Sequence, residues 1–160
     1  MNKELIMRFA LKEDIPLVLS FIKEIAEYER LLHEVVATEE TLNHSLFSEG
    51  STAEVVLCFL NNEPVAYAVF FHNFSTFVGR KGLYLEDIYV KPQHRHGGIG
   101  KKLFKFLAQV ARDRKCGRME WAVLNWNRPA IRFYENVGAK PLSEWTLFRL
   151  NEAEIIKAAK

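Results

Sequence analysis

A glycine-rich turn at residues 95–101, Arg-His-Gly-Gly-Ile-Gly-Lys, constrains the fold more than any other feature of this sequence. An apolar and aromatic run at residues 83–90 precedes the turn and predicts a strand. After the turn, apolar side chains recur at helical spacing: Ile99, Leu103, Phe106, Leu107, Val110 and Ala111. A strand that leads through such a turn into an amphipathic helix is typical of layered α/β domains.

Strand and helix patterns follow one another along the whole chain, without a repeat or a flexible linker. Strands are predicted at residues 4–9, 53–60, 65–72, 83–90, 119–124 and 144–150, with a looser segment at 73–82. Helices are predicted after Asp14, from Thr38 to about Phe47, from Ile99 until Gly117, from Asn127 to Gly138, and after Asn151. This order predicts one domain over residues 1–160, with an α/β fold of the α+β type and a mixed sheet flanked by helices.

Charge and cysteine content exclude several functional classes. The chain has 22 Lys plus Arg against 20 Asp plus Glu, and a net charge of +2 is too small to predict a nucleic-acid partner. No stretch approaches the about 18 apolar residues that span a bilayer, and the N-terminus lacks a signal-peptide pattern, so we expect a cytoplasmic protein without a membrane partner. Cys58 and Cys116 have no companion ligand at metal spacing, so we interpret them as reduced structural thiols and expect no metal.

The turn has the chemistry of an anion site. A helix N-terminus presents N–H groups without intrahelical partners, and Gly97, Gly98 and Gly100 allow a phosphate to approach the backbone closely. Arg95 can add a charge-assisted contact, and Lys101 places a cation in the first helical turn, where it is unfavourable unless an anion binds. The turn matches neither a P-loop nor the dinucleotide-binding glycine spacing, and an ordinary turn with solvated basic residues remains the alternative.

Three motifs in order resemble the GNAT superfamily of N-acetyltransferases. Its acetyl-CoA turn has the pattern Arg/Gln-x-x-Gly-x-Gly/Ala, which Arg95, Gly98 and Gly100 match. The diamine (spermidine/spermine) and thialysine branch is similar to this chain at residues 23–29 (KEIAEYE), 83–87 (LYLED) and 127–139 (NRPAIRFYENVGA). The resemblance covers nearly the whole chain and implies a GNAT-like, mostly antiparallel sheet with a splayed parallel strand pair.

The resemblance implies a role for each site residue. Acetyl-CoA would be the co-substrate, held by Ile88, Tyr89, Val90, Arg95, His96, Gly97, Gly98, Ile99, Gly100, Lys101, Asn127, Arg128, Pro129 and Ala130. Tyr134 would protonate the departing thiolate, and Glu86 would contact the acceptor amine and carry away its proton. Tyr28, Glu29, Glu86, Asp87 and Glu144 would face a cationic small-molecule acceptor, namely a diamine, a polyamine or a lysine-like amino acid. Members of the branch commonly pair, so a homodimer is expected, with Trp145, Leu147 and Phe148 as candidate interface residues.

The chain departs from its branch at two places. His96 stands where the branch has the first glycine of its turn, and the following Gly97 can restore freedom to the backbone. Residues 73–77 (NFSTF) are uncharged where polyamine enzymes have an acidic residue beside a Pro-Trp pair, which removes one ammonium partner. Independently of these departures, a catalytically silent acyl-CoA sensor and an enzyme that acetylates peptide or protein amines are alternative functions.

Overall fold

The computed structural model describes residues 4–51 and 53–160, in which five strands form one sheet in the order β1-β2-β3-β4-β5. The strands are β1 (Leu5–Phe9), β2 (Ala53–Leu60), β3 (Glu63–Ser75), β4 (Arg80–Val90) and β5 (Met119–Trp121). The helices are α1 (Ile15–Tyr28), α2 (Glu39–Phe47), α3 (Ile99–Asp113), α4 (Arg128–Asn136) and α5 (Glu152–Ala158). The first four strands pair antiparallel, and β4 pairs with β5 in parallel, so the predicted fold class is confirmed.

Alternating residues of the central strands serve two different cores, one on each face of the sheet. On one face, Leu103 and Leu107 of α3 pack against the first core, which includes Val56, Ala66 and Leu85. On the other face, Val18 and Phe21 of α1 belong to the second core, together with Val55, Leu57, Tyr67 and Tyr89. The period of two along a strand explains why neighbouring residues of β2 and β3 belong to different cores. The central strands are therefore apolar on both faces.

The structure corrects several predicted element boundaries and one predicted strand. Residues 73–82 are not a loose segment, because β3 continues to Ser75 and β4 begins at Arg80 after a short turn. Strand β5 ends at Trp121 rather than at residue 124, and α3 ends at Asp113 before Gly117. Residues 144–150 were predicted as a strand, and this prediction is wrong: the segment contains a turn at Ser143–Glu144 and no strand. Its apolar alternation lacks a neighbouring strand in the described chain, and a strand forms only against a partner.

The chain divides into two units, residues 1–122 and residues 123–160. The first unit contains the sheet and helices α1, α2 and α3, and the second contains α4 and α5. A single domain over residues 1–160 stays a prediction, and Met1–Lys3 and Thr52 of that range lie outside the described residues. Neither thiol is in a disulfide. Cys58 is buried, and burial raises its pKa to about 12, as expected for a structural thiol.

Asp14 begins α1 in a different way from the one predicted. Its carboxylate makes no cap bond to α1. Instead it accepts from Arg8 Nη1 at 2.6 Å and Nη2 at 2.9 Å, and from the Leu11 N–H at 2.7 Å. The Arg8 hydrogen bond, supported by the bond from Leu11 and the Arg8 charge, lowers the pKa of Asp14 although burial opposes this. The carboxylate thus joins β1 to the start of α1.

We expect Asp14→Ala to lower the free energy of unfolding at neutral pH by about 1–2 kcal/mol, because it removes charged hydrogen bonds to the half-exposed Arg8. The folded pKa lies below the unfolded value of 3.8, so this contribution is complete above that value and is lost as the pH falls below it. Urea unfolding at pH 7 and about pH 3 should show the variant and the wild type converging in acid. Glu13→Ala, at an exposed neighbour, is the control and should change little.

Candidate active site

A β-bulge in β4 rearranges the side chains of the predicted acidic pair. Val69 of β3 lies opposite Asp87, and the next residue, Phe70, lies opposite Leu85, so Glu86 is the additional residue of β4. A bulge reverses the alternation of faces beyond it. Leu85 therefore packs in the core beside α3, whereas Tyr89 packs in the core beside α1. Glu86 itself is exposed at the bulge.

The bulge also sets where the backbone of β4 points. The Lys91 N–H donates to the Val65 carbonyl at 2.9 Å, so these two opposite residues form a hydrogen-bonded pair. Along an antiparallel ladder, hydrogen-bonded pairs alternate with pairs whose backbone groups point away from each other. The N–H and C=O of Ile88 and Val90 are consequently directed away from β3, toward the side on which β5 lies. The pairing with β5 runs from Leu83 opposite Met119 to Leu85 opposite Trp121, and β4 continues beyond it. Ile88 therefore lies past the end of the parallel pairing, on the edge where an extended ligand could bond to the main chain.

The glycine-rich turn lies beside this edge. Gly98 has φ of 79° and caps the N-terminus of α3 without a side-chain hydrogen bond, so the first amide groups of α3 are available to an anion. A Cβ atom built on Gly100 would lie 3.6 Å from Cγ2 of Val90, which places the first turn of α3 against the end of β4. The helix N-terminus and the edge of β4 are thus parts of one continuous surface.

His96 adopts a left-handed backbone conformation, with φ of 65°. This is one of the two places at which the sequence departs from the branch that it resembles, and glycine takes this conformation without strain. For residues with a Cβ atom this conformation has a steric energy cost, which is largest for β-branched residues. The turn thus keeps a backbone shape suited to glycine although a histidine occupies the position.

We expect His96→Gly to leave the free energy of unfolding within about 1 kcal/mol of the wild type, because the relief of strain offsets the extra freedom of the unfolded chain. His96→Val, by contrast, should lower it by about 2 kcal/mol. Denaturant unfolding of the two variants side by side measures the difference. Equal stabilities would contradict a left-handed residue at position 96.

The side chain of Arg95 contacts the end of β4 and the last residue of α1. Its Nε donates to the Val90 carbonyl at 2.9 Å, and its guanidinium carbon lies 4.5 Å from the ring centre of Tyr28 and 5.4 Å from that of Tyr89. The structure thereby brings together a residue predicted to bind the coenzyme and one predicted to face the acceptor. The predicted contact of Arg95 with a phosphate stays a prediction.

Asp87 and Glu29, both partly buried, form an acidic cluster next to Tyr67 in which the charge of Asp87 acts on Glu29. The Tyr67 hydroxyl donates to Asp87 Oδ2 at 2.7 Å, and its ring stacks on Phe21 with 5.0 Å between centroids. Burial raises the pKa of Asp87 and outweighs the opposing effect of the Tyr67 hydrogen bond. Burial, together with the charge of Asp87, also raises the pKa of Glu29. The ionised forms of both carboxyl groups are therefore disfavoured, and a nearby cation would stabilise them. The sequence predicts a cationic acceptor.

Tyr67 was missed by the sequence reasoning. It lies in an apolar run and is fully buried, so its pattern predicts a core aromatic. Burial raises the pKa of its hydroxyl well above the ordinary value, and the charge of Asp87 adds to this effect. The available signal was an unexplained buried carboxylate two residues before Tyr89, which requires a hydrogen-bond donor.

The remaining predicted residues lie in the second unit. Asn127 caps α4, because its Oδ1 accepts from the Ala130 N–H at 3.3 Å, and Arg128, Pro129 and Ala130 form the first turn of this helix. Tyr134 lies in α4 with its ring 5.4 Å from that of Phe133, and its carbonyl accepts from the Ala139 N–H at 3.0 Å. Glu144 is exposed within a turn.

Two further findings concern ligands and membranes. Within residues 4–51 and 53–160, no three His, Cys, Asp or Glu side chains are grouped so that they could hold a metal ion. In the same ranges, no helix is both long and apolar enough to cross a membrane. The expected absences of metal, nucleic acid and membrane partners stay predictions.

Comparison with known proteins gives consistent results. Residues 20–139 match the model of the acetyltransferase (GNAT) family. The chain is 38% identical over 145 residues to thialysine N-epsilon-acetyltransferase of Caenorhabditis elegans, with 89% of each chain covered. It is 29% identical to L-ornithine N5-acetyltransferase of Arabidopsis thaliana, covering 90% of this chain and 83% of that one. An integron cassette protein from the mobile metagenome of V. cholerae has a similar structure, with a TM-score of 0.81, 25% identity and 98% of each chain covered.

Proposed function

This chain belongs to the acetyltransferase (GNAT) family and is an N-acetyltransferase, and on that premise we propose that it transfers the acetyl group of acetyl-CoA to a primary amine of a small molecule. The family match covers residues 20–139 and so confirms the resemblance inferred from the three motifs. The relatives named above act on thialysine and ornithine, both of which carry a side-chain amine. Acetyl-CoA, the polyamine-like acceptor and the roles of individual residues are parts of the proposal.

One observation carries the proposal: the main chain of Ile88 and Val90 points to the edge of β4 past the end of its pairing with β5, beside the N-terminus of α3. The Val90 carbonyl accepts from Arg95 Nε, whereas the N–H and C=O of Ile88 and the N–H of Val90 favour an extended amide-bearing ligand, because a buried N–H or C=O without a partner is costly. The first amide groups of α3 favour a phosphate at the same surface. Coenzyme A combines an amide-bearing arm with a diphosphate.

The proposed coenzyme residues divide into three groups. The main chain of Ile88 and the Val90 N–H hold the pantetheine arm. Tyr89 was predicted to do the same through its main chain, but its N–H and C=O point to β3, where Tyr89 lies opposite Tyr67, so Tyr89 serves only to space the two bonding residues. The turn, comprising the main chain of Arg95, His96, Gly97, Gly98, Ile99, Gly100 and Lys101, holds the diphosphate. Asn127, Arg128, Pro129 and Ala130 supply further contacts from the first turn of α4 and its cap.

In the proposed reaction the amine nitrogen forms a bond to the acetyl carbon, and the carbon–sulfur bond breaks. Acetyl-CoA supplies the activated acetyl thioester. The N–H of Ile88 donates to the oxygen that becomes negatively charged during the transfer. Glu86, exposed at the bulge, accepts the proton that leaves the amine, directly or through water, and the Tyr134 phenol gives a proton to the thiolate.

The acceptor site is proposed at the acidic cluster. Glu29 and Asp87 attract the ammonium group, and Glu86, Tyr28 and Glu144 complete the acceptor contacts. Residues 73–77 supply no carboxylate, and loss of one such contact in a partly exposed cleft costs about 1 kcal/mol. We therefore propose that thialysine, lysine, ornithine and short diamines are better acceptors than spermidine or spermine.

The test is acetyl-CoA-dependent release of free thiol in the presence of separate amines. Thialysine, lysine, ornithine, putrescine, spermidine and a peptide with a free N-terminus form a suitable panel. Turnover with a small amine supports the proposal, and faster turnover of the peptide would assign the protein to peptide acetylation instead. Binding of acetyl-CoA without turnover of any acceptor between about pH 7 and pH 9 would indicate a sensor and reject the proposal.

A homodimer is also proposed. Trp145, Leu147 and Phe148 are 76%, 75% and 88% exposed, and large apolar side chains at this level of exposure favour contact with another protein surface. Analytical ultracentrifugation of the wild type and of a Trp145→Ser, Phe148→Ser double variant tests this. A wild type that sediments as a monomer would reject the dimer.

A further inference from the structure

We propose that the Arg95 side chain is a positioning residue that connects the coenzyme turn to the acceptor site, rather than a direct ligand of the diphosphate. The inference rests on the proposed function, because the proposed function assigns Arg95 to the coenzyme site and Tyr28 to the acceptor site. It concerns the guanidinium only, since the main chain of Arg95 can still belong to the diphosphate-binding turn.

The contacts of Arg95 join three segments. Its Nε is engaged by the Val90 carbonyl at 2.9 Å, at the end of β4. Its guanidinium lies over the Tyr28 ring at 4.5 Å, on the last residue of α1, and over the Tyr89 ring at 5.4 Å. A guanidinium stacks on aromatic rings and donates hydrogen bonds in its plane at the same time, which a lysine ammonium cannot reproduce.

The end of α1 is the segment whose position matters for the acceptor. Glu29 follows Tyr28 directly, and its pKa responds to the charge of Asp87, so the two carboxylates lie within electrostatic reach of each other. A nearby contact also joins α1 to the residue that follows β4: Lys91 Nζ lies 3.7 Å from Glu24 Oε1 and 5.3 Å from the ring centre of Phe21. Lys91 anchors the preceding turn of α1, whereas Arg95 contacts the residue beside Glu29.

Two consequences follow for binding. The position of Arg95 at the start of the turn makes its side chain sensitive to how the turn binds the coenzyme. Because Arg95 contacts Tyr28, the placement of the Arg95 side chain also fixes the placement of Glu29, the next residue. Coenzyme binding thereby improves the binding of the amine. By linkage, the amine improves coenzyme binding by the same factor.

A double-mutant cycle with Arg95→Lys, Tyr28→Leu and the combined variant tests the inference. The readouts are the Kd of CoA by calorimetry, the Kd of thialysine in the presence of CoA, a complex that cannot react, and the KM of the amine. We expect Arg95→Lys to raise the Kd and KM of the amine by about 5- to 30-fold, the range of a desolvated cation–π contact, and the Kd of CoA by less than about threefold. Tyr28→Leu, which also removes a proposed acceptor contact, should raise the Kd and KM of the amine at least as much, and the double variant should be no worse than Tyr28→Leu alone.

Arg112→Lys is the matched control, because Arg112 is exposed and pairs with its neighbour Asp113 at 2.9 Å. The inference is overturned if Arg95→Lys strongly weakens CoA binding while the Kd of the amine is unchanged. It is also overturned if the losses of amine affinity in the two single variants add in the double variant. Failure of the wild type to bind thialysine would also overturn it. A wild type that binds CoA and thialysine but transfers no acetyl group would reject the proposed function while the cycle still tests Arg95.

Discussion

Tyr134→Phe is expected to lower kcat by roughly 10²- to 10⁴-fold, the range for loss of a general acid. The substitution removes only the phenol hydroxyl, and the ring contact with Phe133 at 5.4 Å can persist. Without the phenol, the thiolate must take its proton from water, which slows the breaking of the carbon–sulfur bond. Steady-state kinetics, with CoA binding measured by calorimetry on the same preparation, should show a large loss of kcat at nearly constant Kd.

A second tyrosine separates this role from a packing effect. Tyr84→Phe, which removes the hydroxyl from a ring stacked 4.9 Å from Phe71, serves as control and should keep most of the activity. A Tyr134→Phe enzyme with at least half of the wild-type kcat would reject Tyr134 as the proton donor.

The second large effect that we expect is that of Asp87→Asn. This substitution should raise the stability of the fold and weaken the binding of the acceptor amine. The KM of a cationic amine should increase about tenfold or more, which corresponds to about 1.4 kcal/mol of lost binding. At pH 7 the melting temperature should increase, because the amide removes a partly buried charge and can still accept the hydrogen bond of Tyr67. Thermal unfolding and amine-saturation kinetics on the same variant measure both changes.

The pH dependence of stability gives the sign independently. The folded-state pKa of Asp87 lies above its ordinary value of 3.8, so the folded protein keeps a proton that the unfolded chain has already lost. The free energy of unfolding of the wild type therefore falls as the pH rises from about 4 through the raised pKa, and in Asp87→Asn this fall should be smaller. Glu29, whose pKa is raised by burial and then by Asp87, contributes in the same direction.

Two variants serve to check the assignment to Asp87. Asp113→Asn, at an exposed carboxylate of α3, should change neither the KM of the amine nor the pH dependence of stability. Tyr67→Phe removes the donor that favours the ionised form of Asp87, so it should raise the pKa of Asp87 further and steepen the loss of stability. An unchanged KM in Asp87→Asn would remove this residue from the acceptor site.

Local patterns were predicted from sequence with good accuracy. Thr38 caps α2 by accepting from the Thr41 N–H at 3.2 Å, and Asn151 caps α5 by accepting from the Glu154 N–H at 3.0 Å. The hairpin of β2 and β3 and the start of α3 after the glycine-rich turn also lie where they were predicted. These features depend on neighbours within a few residues, which is why the sequence contains the signal.

Features that depend on distant residues could not be predicted in this way. The bulge at Glu86 is a property of the register between β3 and β4, and the destination of the Arg95 side chain depends on where α1 ends. Residues 144–150 have a strand-like composition, yet in the described chain they pair with no strand. Propensity describes what a segment can form, and the available partners decide whether it does.

The amino-acid sequence by itself determined the family, the order of most elements and the turn that precedes α3, because each is carried by short motifs and by local hydrogen-bonding and packing periods. Only the tertiary structure decided that Asp87, partly buried, bonds to the buried Tyr67 and interacts with Glu29, and that Arg95 faces Tyr28. These contacts join residues far apart in the chain, and their energies depend on burial and on the distances between charges, which exist only after the strands and helices have packed.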